Sequence, residues 1–174
     1  MTFVPKYHIA GAWPLVDNLL RIIARDQEEA LTAVAGAGVL ESFPRLDPAM
    51  RVINDPPFLA IQSVRSLPVV DDDEGSVDTQ HELRLLIAIG GSDPVLLAKH
   101  LEWYKLAMTH ILTTATEADM TEDLMTDNYH DKPVFEIGES VNGEIGFQNL
   151  RMKNQQYLRT AEIQFFVQIK EVRA

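Results

Sequence analysis

HELRLLIAIGGSDPVLLAKHLEWYKLAMTHIL, His81 to Leu112, changes its period once, at a glycine pair. Before the pair, Leu83, Leu85, Ile87 and Ile89 alternate onto one face; Glu82 and Arg84 begin the other, which turns apolar at Leu86 and Ala88. Period two is that of a strand, and a strand apolar on both faces belongs near the middle of its sheet. After Gly90 and Gly91 the period becomes helical. Leu97, Leu101, Tyr104, Met108 and Ile111 step by 4, 3, 4 and 3, with Lys99, Glu102, Lys105 and Thr109 outside that stripe; this is the signature of a helix with one buried face. Ser92 reads as the helix cap, with Asp93 as its alternative, and Pro94 fits the first turn. A central strand therefore feeds, through a tight turn, a helix ending near Thr114.

Upstream, Phe58 to Val70 is rich in apolar and β-branched residues and reads as a second strand, with Pro68 placing it at an edge or a bulge near its end. The two strands form a long hairpin with Asp71–Asp78 at its tip. Further back, Leu15, Leu19, Ile22 and Ile23 recur at helical spacing, with Asp17, Arg21 and Arg25 on the other side. This helix spans Pro14 to Val34, and Gly36 and Gly38 stop it. Downstream, Met120, Leu124 and Met125 point to a short helix around Thr121–Thr126. Asn142-Gly143 is a two-residue hairpin signal that sets Val141 opposite Glu144 and Phe135 opposite Leu150. YLRTAEIQFFVQIKEV closes the chain as a half-buried strand, with Ala161, Ile163, Phe165, Val167 and Ile169 on its apolar side. The expected fold is α+β: a largely antiparallel sheet of about four to five strands with two main helices packed on one face.

With 174 residues the chain reads as one domain, residues 1–174, with an N-terminal arm over 1–12 and a long acidic connection over 117–133. No cysteine is present, which removes disulfides, thiolate metal clusters and cysteine nucleophiles. The opening MTFVPKYHIAGAW lacks the basic flank and apolar run of a secretory leader, and no membrane span is expected. The net charge of −11 opposes general binding to a phosphate backbone. Its distribution is uneven. Residues 71–78 hold five acids and residues 117–131 hold six (Glu117, Asp119, Glu122, Asp123, Asp127 and Asp131), with no Lys or Arg in either block. The two blocks account for the whole excess of 26 acids over 15 bases.

None of the familiar reaction motifs is present. An EF-hand loop begun at Asp71 puts its glycine one place early and its closing Glu82 inside a strand. His8, His81, His100, His110 and His130 are scattered; His100 and His110 project about 80° apart and nearly three turns apart along their helix, which cannot make a shared metal face. Gly90-Gly91-Ser92-Asp93-Pro94 has neither the spacing of a nucleophile elbow nor the lysine of a phosphate loop. No catalytic, cofactor-binding or metal residue is assigned, and no cofactor is expected. Trp103 lies beside the apolar stripe of its helix, where it either widens the buried face or anchors a subunit contact.

The order of elements, above all the strand–turn–helix of His81–Leu112 and the closing YLRTAEIQFFVQIKEV, resembles the tail terminator (tail completion) and head–tail joining proteins of tailed bacteriophages, over roughly residues 12–172. The resemblance implies a non-enzymatic virion protein, assembled in the host cytoplasm. It implies a homo-oligomeric ring, commonly a hexamer, that caps the tail tube, ends its growth and meets neck or connector proteins while DNA passes without specific binding. A neck adaptor or stopper is the nearest alternative, and a small α+β ligand-binding or metabolic protein is the alternative from another class. Under the ring reading, Asp71, Asp72, Asp73, Glu74 and Asp78 form a candidate lumen or rim loop that repels DNA or meets a basic partner, and Trp103 is the candidate subunit contact.

Overall fold

The computed structural model describes residues 12–44, 46–47, 56–71, 76–114, 134–137, 142–144, 150–151 and 157–172. The expected arm, the short helix near 121–126 and the acidic connection lie outside them. The elements run α1 (Ala12–Ala35), β1 (Leu46–Asp47), β2 (Phe58–Asp71), β3 (Ser76–Gly91), α2 (Pro94–Thr114), β4 (Val134–Ile137), β5 (Asn142–Glu144), β6 (Leu150–Arg151) and β7 (Tyr157–Val172).

The sheet follows the order β1-β2-β3-β7, with β4, β5 and β6 all pairing with the far side of β7. It is antiparallel except for the two-residue β1–β2 contact. β3 lies between β2 and β7, the central place its two-sided apolar pattern demands. Its Leu83, Leu85 and Ile87 are fully buried, joined on the same face by Leu59, Ile61, Ile163, Phe165 and Val167. Leu15, Leu19 and Ile23 of α1 and Leu101, Met108 and Leu112 of α2 close the same core. Each such Leu or Ile contributes roughly 1.5–3 kcal/mol by leaving water. Both helices therefore cover one face of the sheet, as expected.

The β2–β3 hairpin forms in the expected pairing but reaches further than the sequence suggested. Val69 pairs with Asp78, Val70 with Val77 and Asp71 with Ser76, so the connection narrows to residues 72–75. The irregularity also moves. It falls between Ser63 and Arg65, where Val64 is the extra residue, whereas Pro68 keeps its place in the ladder opposite Thr79. Beyond Ala60 no strand pairs with the outer side of β2 among the described residues, so a proline without an N–H is tolerated there.

The expected turn at Asn142-Gly143 is replaced by strand. Asn142 pairs with Gln164, Gly143 with Ile163 and Glu144 with Glu162. β4, β5 and β6 run successively along β7, from Val134 opposite Lys170 to Arg151 opposite Tyr157. Four residues separate Ile137 from Asn142 while only two separate their partners Val167 and Gln164. The three segments thus occupy one edge of the sheet in succession. Pairing along a 16-residue partner outweighs the local turn preference of Asn-Gly. Counted by position among the described residues, the sheet is five strands across.

Local chemistry fixes the helix ends. α1 stops where Gly36 adopts φ 96° and its N–H returns to the Thr32 carbonyl at 2.9 Å, a conformation that glycine takes without a Cβ penalty. α2 starts on Asp93, not Ser92. Asp93 Oδ1 accepts the N–H groups of Val95 at 2.8 Å and Leu96 at 3.1 Å, because Asp93 immediately precedes Pro94 at the first helical position.

Candidate interaction surface

Of the acidic candidates, the structure describes the backbone of Asp71 and Asp78. Asp71 ends β2, Asp78 lies inside β3 at register with Val69 and Lys170, and Asp72, Asp73 and Glu74 lie outside the described residues. The hairpin that carries them is long. α2, with 21 residues, spans about 30 Å, whereas the 16 residues of β3 span about 50 Å. Even laid straight along β3 from the Gly91 end, α2 leaves roughly 20 Å of strand beyond its reach.

The face of the sheet away from the helices changes character along its length. Near the start of β2, Phe58, Ala60, Ala88 and Leu158 form a small apolar cluster. Toward the hairpin the face becomes charged. Glu82 accepts hydrogen bonds from Arg65 of β2 and Gln164 of β7, spanning three strands although its side chain is only 8% exposed. Arg84 Nε lies 3.2 Å from Glu162 Oε1, an exposed ion pair worth about 1 kcal/mol or less.

On the helix-facing side, beyond Leu83, sit two fully buried polar residues, Thr79 and His81. His81 Nδ1 is 2.7 Å from Ser66 Oγ across the β2–β3 ladder, and burial lowers its pKa below the usual 6.5, keeping the ring neutral. His81 Nε2 and Thr79 Oγ1 have no hydrogen-bond partner among the described residues. The pair has the composition of a nucleophile and base. However, no described carboxylate backs the imidazole: Glu82, its neighbour in sequence, points through the opposite face toward Arg65 and Gln164. The arrangement ties β2 to β3. Sequence reading missed it, because nothing in the one-dimensional pattern marks Ser66 and His81 as cross-strand partners.

The loop after α1 is anchored by two side chains. Gln27, buried in α1, accepts the Phe43 N–H at 2.8 Å and donates to the Phe43 carbonyl at 3.4 Å. Tyr104 of α2 donates its hydroxyl to the Glu41 carbonyl at 2.6 Å and packs on Phe43 with ring centroids 4.9 Å apart. Burial, the largest influence, raises the Tyr104 pKa to about 12, so the phenol remains a donor at neutral pH.

The two helices dress their outward faces differently. α1 exposes Trp13 near its start, at 61%, and after it Asp17, Arg21, Ala24, Arg25, Glu28 and Thr32, a polar run in which Arg25 pairs with Asp26 at 2.6 Å. Opposite the buried stripe of α2, Val95, Lys99, Trp103, Leu106 and His110 step by 4, 4, 3 and 4. Val95 is 77% exposed, and Leu96 and Leu106 about half exposed. Trp103, the predicted contact residue, is half-buried: Lys99 Nζ lies 4.6 Å from its ring centroid and His100 stacks on it at 5.7 Å. Trp103 therefore neither joins the main core nor projects freely; it lies along the helix surface within an apolar stripe. The signal for its neighbours was present in VLLAKHLEWYKLAMTHIL, where apolar residues recur on both sides of the helix, but the stronger buried stripe masked it.

Two clefts flank α2. One, of about 280 Å³, lies among Val39, Pro56, Gly90, His100 and Tyr104. The other, of about 340 Å³, separates α2 from β7 and sets Lys99, Lys105 and Arg159 against the single acid Glu102. Among the described residues, no three His, Cys, Asp or Glu side chains gather into a metal site, and no helix is long and apolar enough to cross a membrane.

No protein-family model matches the chain, and no curated protein matches it. Among solved structures it is similar to a chain in the virion of a native gene transfer agent particle, at 10% identity and a TM-score of 0.48, covering 94% of this chain and 99% of that one.

Proposed function

We propose that this chain is a structural protein of a tailed, phage-like virion, and specifically a tail terminator. Copies form a ring, six in the simplest case, that seats on the end of the tail tube, stops its growth and presents the opposite surface to the neck. Its work is done by surfaces, and no cofactor enters it. The observation that carries the reading is the segment on which the family resemblance rests. His81–Leu112 folds as the central strand, a tight Asp93-capped turn and a helix, and that helix keeps an apolar stripe on its outward side. A buried stripe is what any α+β domain requires; the second, outward stripe is what an assembling subunit requires.

The acids of the β2–β3 hairpin fit the same role. Asp71 and Asp78 stand near the end of a hairpin that outruns α2. At the lumen, that charge repels the phosphate backbone of passing DNA; at a rim it steers a basic partner into register.

Deletion of the gene in a particle-producing host separates the readings. Loss of a terminator gives tubes of uncontrolled length and heads without tails. An adaptor or stopper, when lost, gives tails of normal length that fail to join. Normal particles after deletion overturn the virion reading and favour a small ligand-binding protein.

A further inference from the structure

We infer that the outer half of β2, residues 65–71, is a hinged strap that opens as one unit while the rest of the sheet stays folded. It swings on the bulge at Val64 and is latched to β3 by two side-chain bonds, Arg65 to Glu82 and Ser66 to His81. The device is a property of the hairpin and stands whether or not the chain forms a ring.

β2 changes character at one point. Phe58, Leu59, Ala60 and Ile61 are all buried, at 5% exposure or less. Residues 63–67 are all exposed, Val64 at 42% and Leu67 at 45%. The ladder breaks at the same place, between Ser63 and Arg65. A bulge leaves one residue unpaired and bends its strand, so it is where a strand yields first. Beyond Ala60, no described strand adds bonds on the far side of β2. Little buried apolar area and a single pairing partner are the marks of a segment that opens well below the global unfolding free energy. Its partner strand is held differently. Thr79, His81, Glu82 and Leu83 are buried, and β3 pairs with β7 along its whole length from Ser76 to Gly91. β3 therefore keeps its place when the strap lifts.

The latch sits immediately past the bulge, in consecutive pairs of the ladder and on opposite faces of the sheet. Arg65 bonds Glu82 on the face away from the helices, where Gln164 of β7 bonds the same carboxylate. Ser66 Oγ meets His81 Nδ1 at 2.7 Å on the helix-facing side. In each bond the β2 member is exposed and the β3 member buried: the Arg65 side chain is 59% exposed and that of Glu82 8%, while Ser66 is exposed and His81 fully buried. Arg65 and Ser66 can thus trade these bonds for water when they leave, and Glu82 and His81 stay behind in the sheet. Gripping from both faces also fixes register. A slip of one residue would put Arg65 on the side of His81 and Ser66 on the side of Glu82, breaking both bonds at once.

Residue-resolved hydrogen exchange on the whole chain tests the device. Among the β2 amides that point at β3, those of residues 65–71 should share one opening equilibrium and exchange about tenfold or more faster than those of residues 58–61. Low urea should hardly speed them, because lifting the strap exposes little surface. Arg65→Ala and Ser66→Ala should each speed the outer group about fivefold, the worth of one ordinary side-chain bond. Because the chain has no cysteine, Leu67→Cys with Gln80→Cys can bolt the strap without touching either latch bond: the two positions face each other in the ladder and both are exposed. Oxidation should slow the outer group to the rate of the inner one, and reduction should restore it. Outer amides that match the inner ones in rate and urea dependence in the parent overturn the strap. Rates that fall smoothly from Asp71 inward, with no step at Val64, show simple fraying and overturn the hinge. Outer rates unmoved by either alanine variant overturn the latch.

Discussion

Replacing Gln27 by Leu tests how the segment after α1 is held against the helix pair. The native amide completes two bonds to Phe43, one to its N–H at 2.8 Å and one to its carbonyl at 3.4 Å, and Phe43 is only 3% exposed. Leucine fills a similar volume in the helix with a similar propensity, so the change acts mainly on the polar groups. Orphaning a buried backbone group costs about 1–3 kcal/mol. The N–H bond is short and commands the upper part of that range, the long carbonyl bond the lower part. The added apolar side chain returns about 1 kcal/mol, leaving a net loss of about 2–3 kcal/mol. For a domain of this size, that lowers the melting temperature by roughly 5–10 °C. Thermal unfolding followed by circular dichroism measures it, and near-ultraviolet dichroism should also change as Phe43 loosens against Tyr104. Gln27→Glu sharpens the test: it keeps the acceptor but buries a charge, so its deficit should exceed that of leucine at neutral pH and shrink in acid as the carboxyl protonates. A leucine variant melting within 1 °C of the parent would refute the claim that this amide anchors the loop.

Three further outcomes follow from the same geometry. His81 is buried and neutral, with a pKa lowered below 6.5 by burial. The unfolded chain therefore binds the proton more readily, and the parent loses stability as pH falls through about 6.5 toward the folded value. Among the described residues, Ser66 bonds to the ring and Val167 of β7 stands at register with it, neither of them charged; His81→Phe should flatten that part of the urea-midpoint profile. In Gly90→Ala the new Cβ would lie 2.7 Å from Pro56 Cγ, inside any permitted contact, and chemical denaturation should show a loss of about 1–3 kcal/mol. Asp93→Ala removes the acceptor for the Val95 and Leu96 N–H groups; it should cost about 0.5–2 kcal/mol and speed hydrogen exchange at those two amides.

Periodic elements were legible in the chain, and pairings between distant residues were not. The buried stripe of α2 and the central place of β3 follow from spacing alone, because a helix or strand states its own period in its side chains. Asn142-Gly143 misled because turn chemistry is local, whereas the pairing it joins lies twenty residues downstream in β7. Val64 as the extra residue could not be read, since a bulge depends on how two strands match, and Pro68 was the more visible irregularity. Asp93 and Ser92 both satisfy the capping rule; only the backbone chooses between them. Gln27 with Phe43, and Ser66 with His81, bridge residues that no period connects. The place of Trp103 beside the buried stripe follows from spacing, but the outward stripe around it required knowing which side of α2 the core occupies. The acidic run was visible at once, and only the register of β2 against β3 showed that Asp71 and Asp78 belong to strands.

The most direct measurement on the account as a whole is the mass of the unmodified chain in solution, at tens of micromolar and physiological salt. A protein that caps a tube as a closed ring should give one closed species at a small fixed multiple of 19.6 kDa, six for a hexamer, and a ring in electron micrographs. A stable monomer across that concentration range contradicts the account.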